Sequence, residues 1–465
     1  MLSARRLRSC VTSLLAVLVL VAIPSTARAG LEAGPFEFGM YGRVGVAWNP
    51  QNGRFVHGQY NNLLGNALGG RLEEGDYLEP TLKLNIVKPV ADDNTKTYFQ
   101  VVLTPSMFAD GGSFLGAFAN NFTNRLRIEL FQAYLEAGNV LIPDLKLWVG
   151  QRFYRGSDVH IADYYYFNQL NSQGFGAKYK GWDVAVLLKT GGGQYESTFI
   201  DGNPATPDPS IERQRTVFVV QYVQPVMEKH SVQFLGEFHL LPANRATIGG
   251  EALAPSDVGY VVGAKFRADL GNGSFNETAA RFGGGIANGA FGASSTWDTQ
   301  GNANDDGKYS GAIGLEFVDH FLYNVNPMLT LNAYGIFQMS KGASGAAADK
   351  NSNFVAGVRS FLYITDHFHL INELSYQVVM PGHSDTIDVG TPQEWKFAIV
   401  PTIVPSGERS AWARPHLRFI YSLSHFNEGA RDAFTLGVLT RNPYFNNFGP
   451  REWGHYIGIR SEWWF

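Results

Sequence analysis

The ten residues that end the chain, "YIGIRSEWWF", place apolar and polar side chains at alternating positions. Successive side chains of a strand point to opposite faces. One face would therefore carry Ile457, Ile459, Ser461, Trp463 and Phe465, and the other Tyr456, Gly458, Arg460, Glu462 and Trp464. The two adjacent tryptophans need different surroundings. Trp463 sits in an apolar set, whereas Trp464 shares its face with an arginine and a glutamate. The split recurs in "FEFGMYGRVGVAW", where Phe36, Phe38, Met40, Val44, Val46 and Trp48 oppose Glu37, Tyr41, Arg43 and Ala47. "WARPHLRFIYSL" separates Trp412, Arg414, His416 and Arg418 from Ala413, Pro415, Leu417, Phe419, Tyr421 and Leu423. "HFHLINELSY" does the same for His367, His369 and Glu373 against Phe368, Leu370, Leu374 and Tyr376.

The amino terminus indicates where such strands would reside. Arg5, Arg6 and Arg8 precede an apolar run from about Val11 to Ile23, and Ala27-Arg28-Ala29 forms a small-x-small cleavage site before Gly30. Residues 1–29 read as a secretory signal peptide, and the run is shorter than the ~18–20 residues of a membrane span. Cys10 is the lone cysteine and lies inside that segment, so the mature chain from Gly30 can form no disulfide. Removing Arg5, Arg6, Arg8 and Arg28 from 37 basic residues leaves 33 against 41 acidic ones, a charge of about −8. A nucleic-acid partner would favour the opposite sign. No mature stretch is apolar enough for a membrane helix, yet the chain has 52 glycines, 14% aromatics and only 17% charged residues.

An exported chain of alternating strands with no spanning helix suggests an all-β fold, a transmembrane antiparallel β-barrel over residues 30–465. One set of side chains would meet lipid and the other a polar lumen. A register slip of one residue would move basic groups into hydrocarbon at about 2–4 kcal/mol each near the midplane. Short turns such as "PVADDNTKT" (89–97) and long polar loops such as 285–308 and 340–353 fit this arrangement. A periplasmic β-sandwich or propeller also alternates, but it needs neither a terminal Phe nor so many mid-strand glycines.

On the polar face, arginines accompany aromatics. An ion-selective pore needs rings of charge and gains nothing from tryptophan, whereas a carbohydrate passage uses both. Sugar rings lay apolar C–H faces on flat aromatic rings, and their hydroxyls need the donors and acceptors that Arg, Glu, Asp and His supply. The alternative is that luminal aromatics fill space and luminal arginines pair with carboxylates across the wall. The densest polar cluster is "VGQRFYRGSDVHIADYYYF" (149–167). Its first part sets Leu147, Val149, Gln151 and Phe153 against Lys146, Trp148, Arg152 and Tyr154. Beyond Gly156 the alternation fails, which suggests a loop folded into the lumen, where non-strand backbone is tolerated. "DVHIAD" has residue types of a metal site, but a lone Asp-x-His with one more Asp does not make one. No metal or cofactor is expected.

The segments "RFYRGSDVHIADYYYF" and "SAWARPHLRF", with the first and last strands, resemble the maltoporin family of sugar-specific porins over residues 36–465. The resemblance implies about 18 strands, a homotrimer in the bacterial outer membrane, and an inward-folded third loop that narrows the channel. It also implies an aromatic slide that guides maltose and linear maltodextrins. It puts Tyr41 at the external start of the slide with Arg43 beside it, Trp412 and Trp464 at two later slide positions, and Phe275 ("GSFNE") at another. Asp158, His160 and Asp163 fall on polar constriction positions, Tyr165 on the tyrosine that narrows the passage, and Arg71 ("GGRLEEGDY") on a polar-track arginine. The sequence departs from the family at Glu79 and Thr81, where a slide tyrosine and an acid would stand; Tyr77 shares their face as a substitute. A further track arginine falls on Gly156, with Arg155 adjacent. The second-loop aromatic has Phe108 and Phe114 as candidates.

Other functions leave different marks. A lipolytic or proteolytic barrel needs a nucleophile with an oriented histidine, and neither G-x-S-x-G nor H-E-x-x-H occurs. A general diffusion porin would conduct ions without being blocked by sugar, and a purely structural or adhesive barrel would need no such lining. Side-chain parity has a direct test. Trp464→Ala should weaken sugar block of ion current while leaving assembly intact, and deletion of Phe465 should impair assembly as followed by heat-modifiable gel migration. The reverse outcome would mean the facing is wrong by one residue.

Overall fold

The computed structural model describes residues 31–439 and 451–465, apart from 34, 52, 57, 59–60, 91–92, 110–125, 190–212, 244–246, 249–250, 253–254, 291–296, 347–348 and 381–388. The expected signal peptide and Phe114 lie outside the described residues. Twenty strands share one antiparallel sheet. Leu31–Ala33 and Arg54–Val56 are short pieces paired with the first long strand, and the other eighteen form the wall. In chain order these are β1 (Phe36–Asn49), β2 (Tyr77–Val87), β3 (Tyr98–Ala109), β4 (Leu126–Gly138), β5 (Leu145–Arg152), β6 (Ser172–Tyr179), β7 (Trp182–Lys189), β8 (Arg215–Val226) and β9 (His230–Leu241). They continue as β10 (Asp257–Gly271), β11 (Ser274–Gly285), β12 (Ile313–Asn326), β13 (Leu329–Lys341), β14 (Lys350–Tyr363), β15 (Phe368–Met380), β16 (Gln393–Ile403), β17 (His416–Phe426) and β18 (Trp453–Trp464).

Each wall strand pairs with its neighbours in sequence, and β18 returns to β1 from Tyr41↔Trp464 through Trp48↔Ile457. The cylinder is closed. Phe465 extends the seam: its N–H donates to the Met40 carbonyl at 3.1 Å and its carbonyl accepts from the Met40 N–H at 3.0 Å. Its ring lies 5.9 Å from that of Phe38. Short and long connections alternate. Asn272 and Gly273, both at positive φ, form the two-residue turn between β10 and β11, as a type I′ hairpin requires. On the opposite rim, residues 50–76 join β1 to β2 and residues 153–171 join β5 to β6.

The wall obeys parity. Phe36, Val46, Trp48, Leu417, Phe419 and Ile459 are exposed on the outside, while Ala47, His369, Glu373, His416, Arg418, Arg460 and Glu462 are buried within. Trp463 lies outside and covers Gly42 of β1, directly opposite it; a Cβ at Gly42 would stand 2.3 Å from the indole. One stretch departs from the alternating pattern. Trp412 and Arg414 were expected in the same strand as His416, but β17 begins only at His416 and both residues sit in the turn 404–415. Alternation alone does not tell a strand from a turn that happens to alternate.

The third loop folds inward as expected, and its tyrosines anchor it. The Tyr164 hydroxyl donates to Glu316 of β12, and the Tyr166 hydroxyl donates to Glu277 of β11. Arg281 of β11 grips Glu316 through two nitrogens at 2.7 and 2.8 Å and donates to the Phe167 carbonyl at 3.1 Å. The first loop also turns in, which the sequence reading did not anticipate. Lys396 of β16 and Glu73 form a fully buried ion pair at 2.9 Å, and Lys396 also donates to Asn62 Oδ1 at 2.6 Å. Tyr334 and Ser375 donate to the Leu68 and Gly69 carbonyls, both at 2.7 Å. Gly70, at φ 116, brings the backbone so close to Glu373 that a Cβ would lie 2.0 Å from its carboxylate. The two loops meet where the Arg71 N–H donates to the Ile161 carbonyl at 3.2 Å.

Breaking a buried pair leaves one charge unmatched, at about 3–5 kcal/mol. Lys396→Met should therefore release the first loop while the wall persists. Single-channel conductance should rise, and gel migration of the folded form should be unchanged.

Candidate functional site

The two inward loops leave a cavity of about 1110 Å³ against one side of the wall. Its aromatic floor starts at the seam. Tyr41 and Trp464 are direct partners across β1 and β18, with ring centroids 6.4 Å apart and near-parallel planes. Trp412 enters from the turn 404–415. His160, on the short helical turn His160–Ala162 of the third loop, stands 5.8 Å from Trp412 and edge-on to Trp464 at 5.5 Å. The Arg414 guanidinium lies 4.0 Å over the Trp464 ring and is held by Glu462 at 2.8 Å. The tryptophan is thus fixed from behind, with a cation on its face.

A polar network runs beside the rings. The Tyr41 hydroxyl donates to Glu462 Oε1 at 3.1 Å and accepts from Arg71 Nη2 at 2.8 Å and Arg43 Nη1 at 3.1 Å. Glu74 of the first loop pairs with both arginines, at 2.6 Å to Arg71 and 3.1 Å to Arg43. Asp163 lies 3.7 Å from Arg71 and holds a left-handed conformation (φ 44) at the end of the His160 turn. Enclosure opposes the charge of Asp163, but the Arg71 and Arg43 guanidiniums outweigh it and hold the carboxyl below the usual range. For Asp158, 3.6 Å from His160 Nδ1, burial is likewise outweighed, by the His160 hydrogen bond and the nearby Arg71 charge. Burial and then Arg71 push His160 below its ordinary value, so its imidazole is neutral at pH 7. Burial raises the Tyr165 phenol, which stays protonated.

Most of the expected residues converge. Tyr41, Trp412 and Trp464 line the cavity together with His160, Asp163 and Tyr165 of the third loop. Arg43, Arg71, Arg155 and Tyr77 line it as well. Tyr41, however, lies near the short-turn end of β1, opposite the penultimate residue of the chain, and not at the long-loop entrance. Glu79 also faces the cavity and accepts a hydrogen bond from the Tyr77 hydroxyl. Asp158 stands behind His160 and does not line the cavity. Phe108 stacks on Tyr77 at 6.4 Å. Phe275 is apart from this cavity, nearly buried near the short-turn end of β11, with Arg267 4.4 Å over its ring and His320 edge-on at 5.1 Å. Among the described residues, no three His, Cys, Asp or Glu side chains converge as a metal site requires.

Two lining aromatics were missed. Phe131 lies at a bulge of β4: Thr104 pairs with Gln132 and the next residue, Pro105, with Leu130, which leaves Phe131 unmatched and lets both Phe131 and Gln132 face inward. Proline cannot donate to the ladder and marks bulges, so Pro105 was the available signal. Phe153, read as sharing a face with Val149, instead lines the cavity beneath the Arg155 guanidinium at 3.9 Å.

Comparison with solved structures returns outer-membrane proteins of low identity. The chain is similar to the outer membrane channel DcaP of Acinetobacter baumannii, with 12% identity, 94% of this chain and 100% of that one covered, and a TM-score of 0.42. It is similar to OccD3 (OpdP) of Pseudomonas aeruginosa, with 10% identity, 96% and 97% covered, and a TM-score of 0.45. OmpT of Vibrio cholerae shares 9% identity over 94% of this chain and 100% of that one, with a TM-score of 0.33. The LamB porin family matches residues 36–465, from the first residue of β1 to the terminal Phe. The closed, lumen-lined cylinder described above therefore has a family: the chain belongs to the LamB porins and is a β-barrel channel of the outer membrane.

Proposed function

We propose that the channel passes oligosaccharides, maltose and linear maltodextrins, by facilitated diffusion without an energy source, as a homotrimer after removal of residues 1–29. One observation carries this reading. The rings of Tyr41, Trp412 and Trp464 line the same cavity as Arg43, Arg71, His160 and Asp163. A pyranose C–H face would lie on the rings while its hydroxyls exchange partners along the polar side. Neutral His160 supplies one donor and one acceptor, ionised Asp163 only accepts, and the arginines only donate. Arg155 would add a further donor, Tyr165 would narrow the passage, and Asp158 would orient His160. No single contact need be strong, because a solute held tightly cannot leave.

In planar bilayers, maltodextrins should interrupt the ion current in a concentration-dependent way. Half-block is expected at about 1 mM, a binding free energy of about −4 kcal/mol. A current that stays unblocked at high sugar concentration would identify a general diffusion porin instead.

The pH dependence follows from His160. Its folded pKa lies below the ordinary 6.5, so the imidazole stays mostly neutral down to that value. Sugar block should therefore be flat between about pH 8 and 6.5. The unfolded chain does bind the proton there, so His160 leaves stability unchanged above about pH 6.5 and lowers it on acidification below. A titration of half-blocking concentration against pH checks the first statement, and denaturant midpoints check the second.

A further inference from the structure

The line of rings does not end at Tyr41. Tyr77 of β2 follows at 5.9 Å, Phe131 of β4 at 6.5 Å from Tyr77, and Phe153, just past β5, at 5.8 Å from Phe131. All four line the same cavity, so the aromatic surface runs away from the seam over β1, β2, β4 and the end of β5. At its far end Arg155 is sandwiched between Phe153 at 3.9 Å and Tyr165 at 4.3 Å. These rings fix the guanidinium plane. Among the described residues no carboxylate lies within ion-pair distance of Arg155, whereas the other cavity arginines, Arg43 and Arg71, share Glu74. Arg155 therefore presents its N–H edge to the cavity, beside the Gln151, Gln169 and Glu129 side chains that also line it.

The bulge at Phe131 makes the arrangement specific. Without it, Phe131 and Gln132 would point to opposite sides of the wall; with it both face the lumen. Bulges re-aim side chains at the expense of ladder hydrogen bonds, and this one keeps an apolar ring and the Gln132 amide side by side on the lumen face. An apolar ring facing a water-filled lumen gains nothing from solvent. Its exposure makes sense as a platform for a ligand with an apolar face. Arg155 already covers one face of Phe153, so Phe131 is the free platform and Arg155 the donor at its edge.

We propose that Phe131 and Arg155, with Phe153 positioning the guanidinium, form an additional sugar-binding subsite that lengthens the path beyond the Tyr41–Trp464 constriction. This rests on the carbohydrate reading of the cavity and extends it: the channel distinguishes long oligosaccharides from short ones. A disaccharide occupies the constriction alone, whereas a chain of six or seven units also reaches Phe131.

The test compares half-blocking concentrations for maltose and maltoheptaose in planar bilayers. Phe131→Leu keeps apolar volume but removes the flat face, and Arg155→Gln keeps a donor but removes the fork. Phe131→Leu should raise the half-blocking concentration of maltoheptaose about three- to tenfold and leave that of maltose unchanged, Arg155→Gln should raise that of maltoheptaose by more than that of maltose, and Trp464→Ala should weaken block by both. Unchanged maltoheptaose block in both variants, or equal shifts for both sugars, overturns the subsite. Wild-type current blocked by neither sugar would overturn the carbohydrate reading itself, a distinguishable failure. Unaltered conductance and gel migration of the variants establish that the barrel is intact.

Discussion

In hydrocarbon a backbone N–H or C=O without a partner costs several kcal/mol, so a sheet that crosses a membrane must have no edge. Every feature of this molecule depends on that closure. The seam between β1 and β18 fixes which residues stand opposite one another, and it makes Tyr41 and Trp464 neighbours although they lie at opposite ends of the chain. Once the register is set, parity leaves no freedom: Trp463 must face outward over Gly42 and Trp464 inward over the cavity. The terminal Phe465 belongs to the same logic. Its backbone adds a pair of hydrogen bonds to Met40 at the seam, and its ring contacts Phe38 on the outer face.

A cylinder of this size leaves space that side chains alone do not fill, and the protein fills it with its own loops. The first and third loops are held by polar and ionic anchors from far strands: Lys396 to Glu73, Tyr334 to the Leu68 carbonyl, Tyr164 to Glu316, and Arg281 to the Phe167 carbonyl. Such buried pairs are weak contributors to net stability, since desolvation offsets most of the attraction, but they penalise misplacement heavily. This distinction matters here. What the channel needs from its loops is position, because the His160 turn must meet Trp412 and Trp464 within ring-contact distance.

The sequence made the wall and half of the cavity legible, for the same reason in both cases. Period-two alternation reports facing wherever the backbone is a regular strand, so Arg43, Arg460, Glu462 and Trp464 could be set inside without coordinates. The third loop was visible as the place where alternation fails amid tyrosines and acids. Hidden features were of two kinds. Phe131 sits at a bulge, where one extra residue reverses parity, and simple counting carries the wrong face through it. The first loop reads as an ordinary polar connection because its buried groups, Asn62, Glu73 and Glu74, are residue types found on surfaces. For Asn62 and Glu73 the partner, Lys396, lies more than three hundred residues away, and nothing local announces it. Trp412 erred in the opposite direction, since a turn mimicked the strand period.

The geometry around Tyr41 explains how an aromatic lining can guide without gripping. A phenol offers one donor and two acceptor positions. Here Glu462 accepts the hydroxyl's hydrogen bond, and Arg43 and Arg71 fill the acceptor positions. Its hydroxyl has nothing left for a solute, so only the ring face is on offer. A free hydroxyl at that point would add a directional bond, deepening one well along the path and slowing exit. With the hydroxyl saturated by side chains of the wall and of the first loop, the ring is both immobilised and reduced to a smooth surface. Trp464 is held in a similar way, with the Arg414 guanidinium on its ring and the Tyr41 and His160 rings in contact with it. Rigidity and weak attraction are usually in tension, because the contacts that fix a side chain also tend to spend its binding groups. In this channel that consumption is the useful outcome: what remains exposed is flat, apolar and unable to hold a passing molecule for long.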